Sequence, residues 1–295
     1  MPSKISKTKL EHSNWQFEAI GTHWSIETDD VLSTELKKEV SESIDSFDQV
    51  YSRFRDDSTV SQMSRRAGTF ELDESSMRLA EFYRQMYDLT NGAVTPLIGR
   101  GLIAGGYDKD YSLSPTAPLP APIWDDGIRW DGRTMTIKQP IVLDIGAAGK
   151  GLLVDKVANI LESADITQYV IDASGDIRHR GGDAQTVGLE NPHDPTKVIG
   201  TYLLRDASLC ASASNRRKWG DGWHHVLDGR TGVPTNDVIA TWVMTGDTMI
   251  ADGLATALFF VDAQRLAGIA DFQFVSMRAN GKIEHSKQFM GQLYI

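Results

Sequence analysis

Apolar and polar residues alternate through WQFEAIGTHWSIET, residues 15–28, with a break at Gly21. A period of two places Trp24 and Ile26 on one face and predicts a strand pair. The period then changes. Leu36, Val40, Ile44, Phe47, Tyr51 and Phe54 recur in steps of three or four, which predicts a long helix with one apolar face and Ser33 as its N-cap. A second helix is predicted from about Asp73 to Leu89, burying Leu79, Phe82, Tyr83 and Met86. Residues 91–122 are rich in Gly and Pro and predict a loop crossing between structural units.

Beyond the crossover, IRW-DG-RTMTI predicts a hairpin turned at Asp131-Gly132. IVLDIGAAGKGLLVDKVANIL predicts a strand, a glycine loop and a helix that buries Val154, Val157, Ala158 and Leu161. Short strands are predicted at 169–172, 186–189, 199–204, 207–211 and 239–244, a helix at 248–261, and a last hairpin at Asn280-Gly281. Helices interleaved with many hairpins point to α+β layers rather than a uniform parallel sheet. No repeat of solenoid period is present.

Composition narrows the function classes. The 295 residues carry 30 Lys plus Arg against 40 Asp plus Glu, a net charge of −10. That surplus argues against nucleic acid as the main partner, because phosphate neutralisation needs basic residues. The single cysteine, Cys210, cannot form an internal disulfide, a CxxC redox pair or a thiolate zinc site. The opening MPSKISKTKL has no apolar run behind its lysines and no lipid-bearing cysteine nearby. No segment approaches the roughly 18 apolar residues of a membrane span. A cytoplasmic protein without a membrane anchor is the expectation.

Three segments could carry chemistry. The loop Gly146-Ala147-Ala148-Gly149-Lys150-Gly151 could cradle a phosphate at a helix N-terminus, or be a tight turn that needs small residues. It is not a Walker A loop, because Gly151 stands where Ser or Thr is required. A second glycine pattern, Gly99 to Ala104, has no strand before it and reads as coincidence. Asp252 and Thr256 lie four apart on an otherwise apolar helix, so carboxylate and hydroxyl share a face. Such a pair suits a hard cation such as Mg²⁺, while Asp252 as a helix cap is the plainer reading. In His224-His225-Val226-Leu227-Asp228, His225 and Asp228 could form a base and its orienter. Ser212 and the basic run Arg216-Arg217-Lys218 precede them and could make an anion pocket or a solvated loop.

The order of these segments resembles the ApbE-type flavin transferase family. GTHWSI, YSRFRDDSTVSQMSR, TNGAVTP, LDIGAAGKGLLVD, YVIDASGDIRHRG, VGLENP, HHVLDGRTGVP and IADGLATALF follow one another as that family's elements do. Three departures stand out. Thr95 and Gly229 occupy places where the family usually has Asp and Pro, and Cys210-Ala211-Ser212 replaces Ala-Thr-Ser.

The resemblance implies one ApbE-like domain over 1–295, with two packed α/β subdomains, mixed and largely antiparallel sheets, and a flavin site in the cleft between them. It implies transfer of FMN from FAD to a Thr or Ser hydroxyl of an acceptor flavoprotein, releasing AMP, with Mg²⁺ as cofactor. Asp252, Thr256 and the Ala147 carbonyl would hold the metal. Tyr51, Ala93, Val94, Thr95, Asp144, Lys150 and Val226 would contact FAD. His225 would be the general base, oriented by Asp228. An FAD pyrophosphatase would use the same residues with water as acceptor. A non-catalytic flavin-binding protein fits less well with His225, Asp252 and Lys150 all retained. A hydrolase built on Cys210 or Ser212 with His225 lacks a nucleophile turn.

Overall fold

The structure is a computed structural model. It describes residues 13–294, so the lysine-bearing start of the chain, read above as no leader, lies outside the described residues. The opening hairpin forms as its alternation predicts, from β1 (Ser13–Ala19) and β2 (Thr22–Thr28). Helix α1 (Thr34–Tyr51) follows, and the Ser33 hydroxyl accepts the Leu36 N–H at 3.1 Å. Leu36, Val40, Ile44, Phe47 and Tyr51 form its buried face. Phe54 does not continue that face. The helix ends at Tyr51, and Phe54 stacks on Tyr111 in the turn beyond.

Next come α2 (Thr59–Met63), β3 (Gly68–Glu71) and α3 (Ser76–Leu89), whose buried face includes Leu79, Phe82, Tyr83 and Met86. The Gly/Pro-rich stretch is more ordered than its composition suggests. Thr95 caps a 3₁₀ turn at Pro96–Ile98, and α4 (Gly99–Ala104) continues from it, occupying the second glycine pattern. Helix α5 (Trp124–Gly127) leads into β4 (Ile128–Asp131) and β5 (Thr134–Ile137), which pair in a three-stranded sheet with β3. Residues 141–144, expected as a strand, are extended without ladder pairing. Helix α6 (Gly149–Ser163) then buries Val154, Val157, Ala158 and Leu161 as expected.

The rest of the chain builds most of the main sheet and a smaller one. β6 (Tyr169–Asp172), β7 (Asp176–Arg180), β8 (Gln185–Asn191), β9 (Asp194–Leu204) and β10 (Ser208–Ala213) follow in turn. The histidine loop holds two short pairs, β11 (Lys218–Trp219) with β12 (Trp223–His224) and β13 (Leu227–Asp228) with β14 (Val233–Pro234). β15 (Val238–Thr245), α7 (Thr248–Ala257), α8 (Ala263–Leu266), β16 (Gln273–Arg278), β17 (Ile283–His285) and β18 (Gln292–Leu293) complete it.

An eight-stranded sheet runs β1-β2-β6-β7-β10-β15-β16-β17, and a three-stranded one runs β18-β9-β8. The ladders between the described strands are antiparallel throughout, an α+β arrangement. Alternation in the inner strands sends side chains to two cores. Cys210 and Val243 join the helices' core, whereas Leu209, Trp242 and Met244 join Leu189, Tyr202 and Leu204 beneath the small sheet. No described helix is long and apolar enough to cross a membrane.

Candidate active site

Helices α6 and α7 meet at their N-termini and exchange carboxylates. Asp155 of α6 accepts the N–H groups of Thr248 and Met249, at 3.1 and 3.0 Å, in the first turn of α7. Asp252 of α7 accepts the Gly151 N–H at 3.0 Å in the first turn of α6. Each helix leaves its first N–H groups unpaired and concentrates positive potential there, so a buried carboxylate is stabilised at both ends. Gly151 is required by this contact, since a Cβ there would lie 2.3 Å from the Thr248 carbonyl oxygen. Asp252 is therefore not the cap of its own helix. Asp247 is, accepting the Ile250 N–H at 3.0 Å.

Lys150 lies beside this junction. Its amine is 2.6 Å from an Asp176 carboxylate oxygen and donates to the Ala173 carbonyl at 2.8 Å. Burial pushes the Asp252 carboxyl well above the usual carboxylate range, and neighbouring Asp176 pushes it further. Burial likewise raises Asp176, with Lys150 opposing. Burial alone would lower the Lys150 amine, yet Asp176 and Asp252 raise it. Two carboxyls thus crowd one lysine in a buried place, which favours a proton on one of them unless a cation takes its place. The buried Tyr83 phenol, against the backbone of Ala147 and Ala148, is raised by burial, then by Asp144 and Asp252, which ties the glycine loop to the carboxylates.

The junction opens into a cleft of ≈ 1320 Å³ between the helical layer and the face formed by β2, β6, β7 and the edge of β8. Tyr51, Ala93, Val94, Thr95, Asp144, Ala147, Lys150, His225, Val226, Asp252 and Thr256 all line it. Asp252, Thr256 and Ala147 line this cleft and offer carboxylate, hydroxyl and backbone carbonyl oxygens, hard donors of the kind that fits Mg²⁺. Among the described residues, no group of three or more His, Cys, Asp or Glu side chains forms a metal cage.

Several side chains hold partners that the sequence did not suggest. The Tyr51 hydroxyl donates to Asp73 at 2.5 Å, and Lys156 binds the same carboxylate at 2.7 Å. The Thr95 hydroxyl accepts the Leu97 N–H at 3.2 Å. Asp144 is paired with Arg53 at 2.6 Å, while its other oxygen accepts the Gly146 N–H at 2.8 Å.

The expected His225–Asp228 dyad does not form. Asp228 turns to Arg230, two residues on, whose side-chain Nε and backbone N–H both donate to it, at 2.8 and 2.9 Å. His224 is structural: its Nε2 donates to the Thr235 carbonyl at 2.7 Å, and its Nδ1 accepts the Val226 N–H at 3.2 Å. The Nδ1 of His225 is buried without a partner among the described residues. Burial, then Arg217, lowers its pKa to about 3, so the ring is neutral at pH 7. Arg217 donates to the Tyr107 hydroxyl at 2.6 Å, and Arg216 pairs with Glu190 at 2.8 Å. Cys210 is fully buried and raised far above the ordinary thiol range, first by burial and then by Asp176 and Asp252. It is an inert core thiol rather than a nucleophile.

Sequence reasoning missed Asp176, Asp155 and Arg53. Each lies inside a quoted segment (ASGD, LLVD and YSRF), but each works through a partner far away in the chain.

Comparison with known proteins agrees with this architecture. A FAD:protein FMN transferase from Vibrio cholerae is 24% identical over 257 residues, covering 81% of this chain and 77% of that protein. One from Treponema pallidum is 26% identical over 255 residues, covering 74% and 69%. Among solved structures, an ApbE protein from Thermotoga maritima matches with a TM-score of 0.82 at 22% identity, over 95% of this chain and 98% of that one. The flavin transferase ApbE of Vibrio cholerae gives 0.79 at 21% identity over the same shares. The ApbE family model matches residues 20–277, and the chain belongs to the ApbE family.

Proposed function

We propose that this chain is a FAD:protein FMN transferase that moves FMN from FAD to a Thr or Ser hydroxyl of an acceptor flavoprotein and releases AMP. The observation that carries this reading is the buried Asp252–Asp176–Lys150 cluster at the joined helix N-termini, opening into the long cleft. The names of its relatives supply the substrate class.

In this reading the FAD pyrophosphate lies across the N-terminus of α6, where the helix dipole favours an anion. Lys150, held by Asp176, faces the phosphate oxygens as a fixed point charge. Asp252, Thr256 and the Ala147 carbonyl would hold Mg²⁺, which would supply Lewis-acid neutralisation of phosphate charge. The acceptor hydroxyl oxygen bonds to the phosphorus of the FMN half, the bond to the bridging oxygen breaks, and AMP leaves with that oxygen. His225 is neutral and takes the hydroxyl proton. Burial, and then Arg217, hold its pKa at about 3, and an anion beside Arg217 would offset the second of these causes.

Asp252→Asn tests the reading. The variant keeps the side chain's shape and loses the charge, so Mg²⁺-dependent FMN transfer should fall by at least a hundredfold. Undiminished transfer would remove Asp252 from the metal site.

A further inference from the structure

Arg53 is nearly out of contact with water, its side chain 4% exposed, yet most of its donors are unspent. Nε–H donates to Asp144 at 2.6 Å. Among the described residues neither Nη atom has a hydrogen-bond partner, and Nη2 is fully buried. The guanidinium packs against two rings set steeply to each other, with its carbon 4.1 Å from the Phe54 centroid and 4.7 Å from that of Tyr107. A planar fork packed against two rings and held at Nε has lost much of its freedom before any ligand arrives, and its Nη pair suits two oxygens of one phosphate. A buried cationic N–H without a partner is costly, and such a cost points to a group that arrives later. Arg53 also lines the cleft. On its outer side Phe54 stacks nearly parallel on Tyr111, and the two rings are 36% and 52% exposed, so this side of the aromatic cluster faces solvent.

We infer that Arg53 is a further substrate-binding residue, donating from its free Nη edge to phosphate oxygens of FAD once Phe54 and Tyr111 shift. The inference rests on the FAD reading above. It also gives the Arg53–Asp144 pair a purpose. Asp144 neutralises and orients the guanidinium, and Arg53 cancels a carboxylate that would otherwise repel the dinucleotide.

The test is calorimetric binding of FAD, FMN, AMP and riboflavin to the full chain and to Arg53→Met and Arg53→Lys variants. Arg53→Met should weaken FAD by tenfold or more and leave riboflavin, which has no phosphate, within twofold. The mononucleotide that loses affinity, FMN or AMP, identifies the phosphate contacted. Unchanged FAD affinity, or an equal loss for riboflavin, would overturn the inference. Should Arg53→Met fail to fold because Asp144 is left unpaired, Arg53→Lys decides. It keeps the charge but not the fork, and a threefold or greater loss supports the inference while wild-type affinity overturns it. A wild-type chain that binds no flavin nucleotide would sink the FAD reading itself and this inference with it.

Discussion

Asp155 offers the sharpest stability test, because one carboxylate fixes the helix that carries Asp252 and Thr256. It is 4% exposed, accepts the N–H groups of Thr248 and Met249, and pairs with Arg178 at 3.0 Å. Asp155→Ala would strand both N–H groups and leave Arg178 with weaker partners. Removing one member of a buried, hydrogen-bonded ion pair costs about 3–5 kcal/mol. Burial, and then Asp247, raises the Asp155 carboxyl, so part of its desolvation cost is recovered on removal and the lower end applies. A loss of about 3 kcal/mol corresponds to roughly 6–10 °C in Tm for a chain of this size. Asp155→Asn, which keeps one acceptor oxygen, should lose about half as much. Thermal and urea unfolding read both, and Mg²⁺ titration of FMN transfer should show weaker metal binding as α7 loosens. An Asp155→Ala protein within about 1 kcal/mol of wild type would refute the reciprocal capping.

Two further outcomes follow from other contacts. A Cβ at Gly229 would lie 2.5 Å from the Gly92 carbonyl oxygen and 2.6 Å from Thr95 Cγ2, so Gly229→Ala should cost about 1–3 kcal/mol. Gly229→Pro should cost about 1 kcal/mol more, because the Gly229 N–H donates to the Ala93 carbonyl at 2.9 Å. Urea midpoints check both, and wild-type stability in either variant would contradict the packing. His225 has a folded pKa of about 3, below its unfolded value. Its neutral form therefore contributes stability that is complete above about pH 6.5 and is lost as pH falls toward 3, with a slope of up to about 1.4 kcal/mol per pH unit. His225→Asn should flatten that part of the stability–pH curve, and an unaltered curve would show that the ring is not buried neutral.

What the sequence made legible was local. The β1–β2 alternation, the α1 face with its Ser33 cap, and the buried face of α6 depend on neighbours within a turn or a pleat. The site residues were legible as types on segments, and eleven of the twelve expected site residues, all but Asp228, line one cleft. Partnerships across the chain were not legible. Spacing alone made Asp228 a natural orienter for His225, but the nearer Arg230 takes it. Asp252 read best as a cap of its own helix, and instead it caps α6. Thr95 and Gly229 stood as two separate departures from the family pattern. The fold packs them against each other, so the Thr95 methyl fills space that only glycine at 229 leaves open.

Following FAD through one reaction decides whether the chain transfers FMN to a protein. The purified chain, FAD, Mg²⁺ and a lysate of its own source are incubated, then separated on a denaturing gel, with AMP and free FMN measured in the soluble fraction. The expected result is a flavin-fluorescent acceptor band that survives denaturation, AMP released in equal amount, and loss of both without Mg²⁺ or with Asp252→Asn. Free FMN and AMP with no protein-bound flavin would contradict transfer and make the chain a FAD pyrophosphatase.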